Sequence, residues 1–526
     1  MDTKHVTSFS SICLLIVTAM AASSTTELQH PNIVIFLADD MGYGDLSSYG
    51  HPTQEWGPID DLAREGLRFT SMYTASSLCS PSRAALLTGR LPVRVGMYGL
   101  QMNFTPLTPT GMPPEEITLA EALRDAGYST GMVGKWHLGI NSRTAMDGAF
   151  LPYRNGFDYV GTNLPYTNLW SCDENQIHVQ RPNSLGCYLY RNATIIQQPI
   201  AHENLTRTFV EDAKTFIGQH HKTRIDKPFF LFMSFAHPHV NLFSNKNFNG
   251  SSQRGVYGDN IREMSWGVGE IMREIKRLGF DENTLVLFSS DNGGQLELCN
   301  EGGDNGIFRG GKGNFFDGGL RVPGIVRWPG HIRPGRINTQ VISQMDIFPT
   351  FVQLAGGNIP HDRVIDGQDV RHLLSLQSSS YEAKNPTSKS SNHEPLFFYC
   401  NDKLFAVRYG NFKFHYRSMP VKSKFEYAAT CGEAGFPNDY YFECLFCGSR
   451  CVLKHDPPLI YNLAADPSEA YSLDPQLHQG LLQELKRVVE DHESNLVKGP
   501  ALFTSLAISS IPCCDKSSPG CSCNYP

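Results

Sequence analysis

Asp39-Asp40 and Asp291-Asn292 each follow an apolar run, residues 33–38 in one case and 284–288, continued by Ser289-Ser290, in the other. Between them they offer three carboxylates and one amide, with no cysteine or histidine. Such a donor set selects a hard cation, Ca²⁺ or Mg²⁺, over zinc, and it suits the adaptable coordination of Ca²⁺ best. A single acidic pair after a strand is more often a helix N-cap or a solvated loop. Two such pairs at matching strand ends reverse that weighting.

A second group of residues suits an anion. In Cys79-Ser80-Pro81-Ser82-Arg83, continued by Leu87-Thr88-Gly89-Arg90, Ser80 can serve as N-cap and Pro81 as the first helical residue. Residue 79 would then sit at a helix N-terminus, where free N–H groups and the positive dipole end favour negative charge. Arg83 lies one turn further along the same face. Lys135 and His137, in Gly134-Lys135-Trp136-His137, join His239 and Lys312 as cations and proton carriers. Lysines bind anionic oxygens as point charges, and histidines titrate near the working pH. Taken singly, a Cys-x-Pro is an ordinary buried cysteine, Lys-Trp-His a surface or core string, and Gly310-Gly311-Lys312-Gly313 a flexible loop. Their weight comes from their company.

The elements that must position these residues are legible as alternating periods. Apolar runs at 33–38, 131–133, 229–232 and 284–288 end in polar residues, as buried parallel strands do at the carboxyl edge of a sheet, so four distant segments can converge there. Residues 119–125 and 261–278 repeat apolar positions at helical spacing, and the alternation predicts an α/β layered sheet with helices on both faces. The Ser-, Lys- and Asn-rich stretch 376–393 reads as a linker between a catalytic domain at 30–375 and a smaller domain at 394–526. Short strands near 396–399, 405–408 and 412–416 and a helix over 481–489 predict a small antiparallel sheet with one helix.

Residues 1–22 read as a secretory signal, with an apolar core and a small-residue cleavage site at Ala19-Met20-Ala21. The four sequons at Asn103, Asn192, Asn204 and Asn249 agree with that route, as do the 14 cysteines. Setting aside Cys13 in the signal and Cys79 in its motif leaves an even twelve. Cys172 with Cys187 would close a local loop, and the tail at Cys513-Cys514 and Cys521-x-Cys523 reads as disulfide-stapled rather than zinc-bound. The expected location is the secretory pathway, with lysosome and exterior both open. A net charge of −7 provides no basic field for nucleic acid, and no later stretch is apolar enough for a membrane span.

Several of these segments recur in one family. Leu37-Ala38-Asp39-Asp40-Met41-Gly42-Tyr43-Gly44-Asp45, Cys79 to Arg90, Gly134-Lys135-Trp136-His137-Leu138-Gly139, Asp291-Asn292-Gly293, Gly310-Gly311-Lys312-Gly313 and Gly318-Gly319-Leu320-Arg321 stand in the order found in sulfatases. Residues 31–526 resemble a sulfatase of the arylsulfatase A type, a group that includes the N-acetylgalactosamine-6-sulfatases. The resemblance implies the alkaline-phosphatase-like sulfatase fold, with a large mixed sheet and a small C-terminal antiparallel sheet. It implies one Ca²⁺ on Asp39, Asp40, Asp291 and Asn292, and a formylglycine made from Cys79 by the formylglycine-generating enzyme during secretion. In the implied mechanism one hydroxyl of the hydrated aldehyde attacks sulfur, and the other then loses its proton to His137 so that sulfate leaves by C–O cleavage. Lys135, Thr167, His239 and Lys312 fall at substrate-binding positions, with His239 and Lys312 near the bridging oxygen.

The chain departs from the family pattern in places. Trp56-Gly57-Pro58-Ile59-Asp60 replaces the usual Thr-Pro-Asn-Leu-Asp and is expected to alter the mouth of the pocket. Thr167 stands in place of a serine, and Gly310 in place of a cysteine, so no disulfide is expected there. The implied substrates are sulfate esters of carbohydrates, glycolipids or aryl alcohols, with a glycosaminoglycan 6-sulfatase as the alternative and a homodimer as a compatible assembly. Phosphomonoesterases or phosphodiesterases of the same superfamily use serine or threonine and histidine-bound metals, which Cys79 and the oxygen-only set oppose. A secreted, non-catalytic binding or matrix protein is the remaining class, and the intact residue set gives no sign of such decay.

Overall fold

A computed structural model describes residues 30–167, 187–374, 395–420, 431, 447, 451–517 and 521–524. The expected signal segment, the linker and Cys172 lie outside these residues. In chain order the strands are β1 (Asn32–Ala38), β2 (Leu67–Tyr73), β3 (Ser129–Lys135), β4 (Tyr159–Leu164), β5 (Leu189–Arg191), β6 (Thr194–Gln198), β7 (Phe229–Ser234), β8 (Thr284–Ser290), β9 (Arg321–Arg327), β10 (Arg336–Asn338), β11 (Ile342–Ser343), β12 (Leu396–Cys400), β13 (Lys403–Tyr409), β14 (Phe412–Ser418), β15 (Leu453–Asn462) and β16 (Cys523–Asn524). The α-helices are α1 (Pro58–Glu65), α2 (Cys79–Thr88), α3 (Pro92–Val95), α4 (Leu119–Asp125), α5 (Leu205–Thr223), α6 (Gly255–Arg277), α7 (Asp317–Leu320), α8 (Ile347–Leu354) and α9 (Gln479–Asn495).

Strand β1 shows why the sheet lies at the centre. Its seven residues are all buried, and the six after Asn32 alternate between two cores. Val34, Phe36 and Ala38 join Met264, Val268, Ile271 and Ile275 of α6 on one face. Ile33, Ile35 and Leu37 join Leu119 and Leu123 of α4 and Phe348 and Phe351 of α8 on the other. A period-2 strand covered on both faces must be apolar throughout, as the sequence pattern requires.

The large sheet runs β10-β2-β9-β8-β1-β7-β3-β4-β5-β6-β16, with β11 also pairing β2. The central strands β8, β1, β7, β3 and β4 are mutually parallel, while β9, β5, β6 and β16 introduce antiparallel pairings, so the sheet is mixed. Register sets the strand ends level. Ala38 faces Ser290, Leu37 faces Ser234, and Gly134 faces Ser234. The residues that follow β1, β3, β7 and β8 therefore emerge side by side at one edge, as expected.

The small sheet is antiparallel in the order β12-β13-β14-β15. Its core takes Leu485 and Val489 from α9, and also Ala85 of α2 and Val93 of α3, so the small sheet rests on the helix that begins at Cys79. Strand β15 is absent from the sequence-based expectation. Much of it is exposed and it carries Pro457-Pro458, composition that argues against a strand. The tail returns to the large sheet, where β16 pairs with β6, Cys523 opposite Gln198. Disulfides join Cys513 to Cys521 and Cys514 to Cys523 in that tail, and Cys299 to Cys431 and Cys400 to Cys447 elsewhere. Cys79 is the free cysteine among the described residues. No described helix is long and apolar enough to cross a membrane.

Candidate active site

Helix α2 begins at Cys79 itself, with Leu78 at the N-cap position. The expected N-cap role of Ser80 is not what the structure holds. The Ser80 hydroxyl donates to the His137 carbonyl at 2.8 Å and accepts from Phe104 N at 3.1 Å, and the Ser80 amide is taken by Asn103 Oδ1 at 3.0 Å. A loop distant in sequence thus supplies the cap, and Ser80 ties that loop to the β3 exit. No local pattern encodes this, since capping motifs are read from the helix's own residues.

Cys79 is 1% exposed. Its Sγ lies 3.7 Å from Asp39 Oδ1 and 3.9 Å from Asp40 Oδ1, within a cluster that also includes His239. Burial pushes the thiol pKa well up against the pull of Lys135 and Lys312, so the sulfur sits protonated between acceptors. Asp291 and Asn292 close the group. Asp40 N donates to Asp291 Oδ1 at 3.1 Å, and Asn292 Nδ2 donates to Asp40 Oδ1 at 2.8 Å.

The cations are committed to these carboxylates. Lys135 Nζ donates to both Asp39 oxygens at 2.6 and 2.5 Å and to Thr167 Oγ1 at 3.2 Å. Arg83 Nε and Nη2 hold Asp291 Oδ2 at 2.9 and 2.8 Å, while Nη1 donates to the Lys135 carbonyl and to Ser234 Oγ. Lys312 Nζ reaches Asp40 Oδ2 at 2.5 Å and His239 Nε2 at 3.0 Å. The field is uneven. Burial, opposed by Lys135 and reinforced by Asp291 and Asp40, pushes the Asp39 carboxyl up to about 7. At Asp40 burial pulls the same way, but Lys312 and His239 outweigh it and hold the carboxyl below its usual range. Arg83 and Lys135 do the same for Asp291.

The two histidines are neutral, and their partners fix their tautomers. His137 Nε2 faces the Phe104 carbonyl at 2.8 Å and must carry the proton, which leaves Nδ1 as a buried base with no hydrogen-bond partner among the described residues. Burial, with Lys135 and Arg83, lowers its pKa well below 6.5. His239 Nδ1 donates to the Val240 carbonyl, so Nε2 accepts from Lys312. Burial and Lys312 depress its pKa to about 3. Asp40 and His137 both adopt left-handed backbone conformations, φ 63° and 60°, a cost that non-glycine residues bear where surrounding structure dictates it.

The donors fit a hard divalent cation. Three carboxylates crowd together in a buried space, and Asn292 Oδ1 is buried with no hydrogen-bond partner among the described residues, as expected of an amide oxygen placed to meet a metal. The structure thus brings Asp39, Asp40, Cys79, Arg83, Lys135, His137, Thr167, His239, Asp291, Asn292 and Lys312 together. Trp56 lies apart, beside Phe248 and Trp266 in a cavity of about 180 Å³ whose lining includes none of these residues. The expectation that it alters the pocket mouth gains no support from that lining. Sequence reasoning misses Ser234, Asn103 and the Phe104 carbonyl, which orient the site without touching the carboxylates. It also misses Asp45, although that residue lies within the first family motif. Asp45 accepts from Gly42 N, Asp304 N, Tyr257 Oη and Arg254 Nη2 and so fixes the loop after β1.

Comparison with known proteins gives the same assignment. The sulfatase family profile matches residues 31–357, and the profile for the C-terminal region of aryl-sulfatase matches 391–523. An arylsulfatase of Hemicentrotus pulcherrimus is 48% identical over 95% of this chain and 87% of its own length. Human arylsulfatase A is 39% identical over 84% and 83%. The crystal structure of PsFucS1 sulfatase from Pseudoalteromonas sp. superposes with a TM-score of 0.70 at 25% identity, covering 91% of this chain and 92% of that one. With the mixed sheet, the small antiparallel sheet and this buried cluster in place, the chain belongs to the sulfatase family, as a sulfuric ester hydrolase of the arylsulfatase type.

Proposed function

We propose that the enzyme hydrolyses sulfate esters of carbohydrates, glycolipids or aryl alcohols through a formylglycine derived from Cys79, with one Ca²⁺ held by Asp39, Asp40, Asp291 and Asn292. The observation that carries the reading is the setting of Cys79. It is a free cysteine at a helix N-terminus, wedged against two carboxylates that disfavour a thiolate. A cysteine nucleophile needs the opposite environment. An oxygen at that position would instead complete an all-oxygen donor set. Because Cys79 is 1% exposed, conversion by the formylglycine-generating enzyme must precede docking of α2.

Once formed, the hydrated aldehyde supplies an oxygen nucleophile, and the divalent ion supplies Lewis acidity and charge neutralisation. Lys135 and Thr167, linked at 3.2 Å, are set to bind sulfate oxygens beside the α2 N-terminus. His137 Nδ1 is the free base for the proton that must leave for sulfate to depart. The pair Lys312 and His239 provides a cation and a neutral imidazole to stabilise the leaving oxygen. Formal charge supports the substrate class: Asp39, Asp40 and Asp291 balance Arg83, Lys135 and Lys312, so a divalent ion makes the site cationic. The secretory route, with Asn192, Asn204 and Asn249 exposed for glycosylation, belongs to the same reading. Asn103 is half-buried and caps α2.

Peptide mass spectrometry on the fragment containing residue 79, from protein secreted by a converting host, tests this reading. The mass expected is that of an aldehyde in place of the thiol, reactive towards hydrazides. An unmodified thiol, from cells that convert a control sulfatase, overturns it.

A further inference from the structure

The loop that carries Lys312 is built mostly from residues with little conformational preference. Gly310, Gly311 and Gly313 surround the lysine, and Gly310 and Gly313 take φ of 73° and 78°. Such a backbone must be held from outside. Large-domain contacts hold its tip, with Lys312 N donating to Gly294 O at 3.1 Å and Gly313 N to Ser77 O at 2.9 Å. Its base is held by the small domain. Arg309 and Asp317 bracket the loop and are tied together through Gly318 N to Arg309 O at 2.8 Å. Glu469, in the turn after β15, grips both. Its Oε2 accepts from Asp317 N at 2.6 Å, and its carbonyl accepts from Arg309 Nη1 at 3.0 Å.

Glu469 is itself immobilised. It is 0% exposed and adopts a left-handed conformation at φ 50°. Its Oε1 accepts from His415 Nε2 at 2.7 Å and faces Lys413 Nζ at 3.5 Å. Lys413 reaches across to Asp317 Oδ1 at 2.7 Å. Phe316, next to Asp317, packs on the His415 ring with centroids 4.4 Å apart. A buried carboxylate from one domain is therefore spent on a loop whose only cationic tip residue, Lys312, reaches the Asp40 and His239 side chains of the site.

We propose that Glu469 is a positioning residue for Lys312, so that the small domain sets the cation that meets the leaving oxygen. This rests on the reading of Lys312 given above. Glu469→Gln keeps the volume but turns one acceptor oxygen into a donor facing the Asp317 or His415 N–H, which displaces the loop base.

The test is a double-mutant cycle on kcat/KM with Glu469→Gln, Lys312→Ala and the pair, using 4-nitrophenyl sulfate and an alkyl sulfate, with thermal midpoints measured for all. Glu469→Gln is expected to lower kcat/KM roughly 10-fold or more, chiefly in kcat and more for the alkyl ester, since small misplacements of a positioned group are that costly. In the Lys312→Ala background the same change is expected to cost less than about 2-fold, because interacting residues are non-additive. Equal losses in both backgrounds, or equal losses for both esters, overturn the positioning role. Full activity in Lys312→Ala alone overturns the underlying role of Lys312, a result distinct from the first. If Glu469→Gln is not secreted, Arg309→Met releases the loop from the Glu469 carbonyl and takes its place in the cycle, where the same losses support the positioning role and the same equalities overturn it.

Discussion

Two buried charge clusters, built from the same residue types, lie at opposite ends of the Lys312 loop. In the cluster between the large and small sheets every carboxylate oxygen is engaged. Asp317 Oδ1 takes Lys413 and Oδ2 takes Tyr73 at 2.7 Å, while Glu469 takes His415 through one oxygen and the Asp317 amide through the other. Burial alone would raise the Asp317 carboxyl, but Lys413, Arg321 and Arg408 hold it below the usual range. At the sheet edge the carboxylates crowd one another, Asp39 is pushed up rather than down, and the Asn292 and His137 side chains keep lone pairs that no described residue uses. Where cations outnumber carboxylates a network is closed and specifies one packing arrangement, whereas crowded carboxylates leave it open to a further cation. Among the described residues His415 Nδ1 and Arg408 Nε also lack hydrogen-bond partners, so the two clusters differ in charge balance rather than in depth or in how completely donors match acceptors.

That contrast can be broken or sharpened by substitution. The largest effect is expected from Cys79→Ala, with kcat/KM for an aryl sulfate falling by about 10⁴-fold or more and the thermal midpoint nearly unchanged. A comparable loss of stability would place the open cluster among the structural ones. Lys413→Met should do the reverse. Leaving Asp317 and Glu469 without their shared cation is expected to cost about 3–5 kcal/mol, as breaking a buried pair does, and denaturant unfolding would measure it. Asn292→Ala, which removes a ligand atom, is expected to weaken divalent-ion affinity by about 10- to 100-fold or more, the lower bound being what loss of an outer-shell partner alone costs. Titration with metal buffers should show activity returning at high ion concentration.

The smallest effect concerns pH. His415 faces Glu469, Lys413 and Asp317, and burial, only partly offset by Glu469, lowers its pKa below 6.5. The folded form keeps the ring neutral while the unfolded chain takes up a proton. This contribution to stability is therefore present above about pH 6.5 and declines as pH falls below it. His415→Gln should flatten the acid side of a plot of unfolding midpoint against pH. An unchanged slope would mean that the ring is protonated in the fold.

Much of this is readable from the residues because strand ends write their ligands next to their apolar runs. β1 with Asp39-Asp40 and β8 with Asp291-Asn292 need only the rule that parallel strands deliver to one edge. Helix α6 is legible from Met264, Val268, Ile271 and Ile275, which all face the core. What escapes depends on contacts between distant segments that have no period of their own. Asn103 caps a helix that starts 24 residues earlier, Ser234 orients Arg83 from 151 residues downstream, and Glu469 acts on a loop more than 150 residues before it. β15 is hidden because its ladder partner β14, rather than its own composition, makes it a strand.

The pairing of β16 with β6 bears on how the edge of the large sheet is protected while the protein is made. Without residues 523 and 524, β6 would be the outermost strand of the large sheet on that side and would present an unpaired row of backbone donors and acceptors. The segment that covers it lies more than 300 residues downstream and is pinned by two short-range disulfides, Cys513 to Cys521 and Cys514 to Cys523. During synthesis the sheet would therefore carry an open, self-templating border until the tail emerges and oxidises. Chains truncated before this staple should reach a folded core and still tend to associate edge to edge.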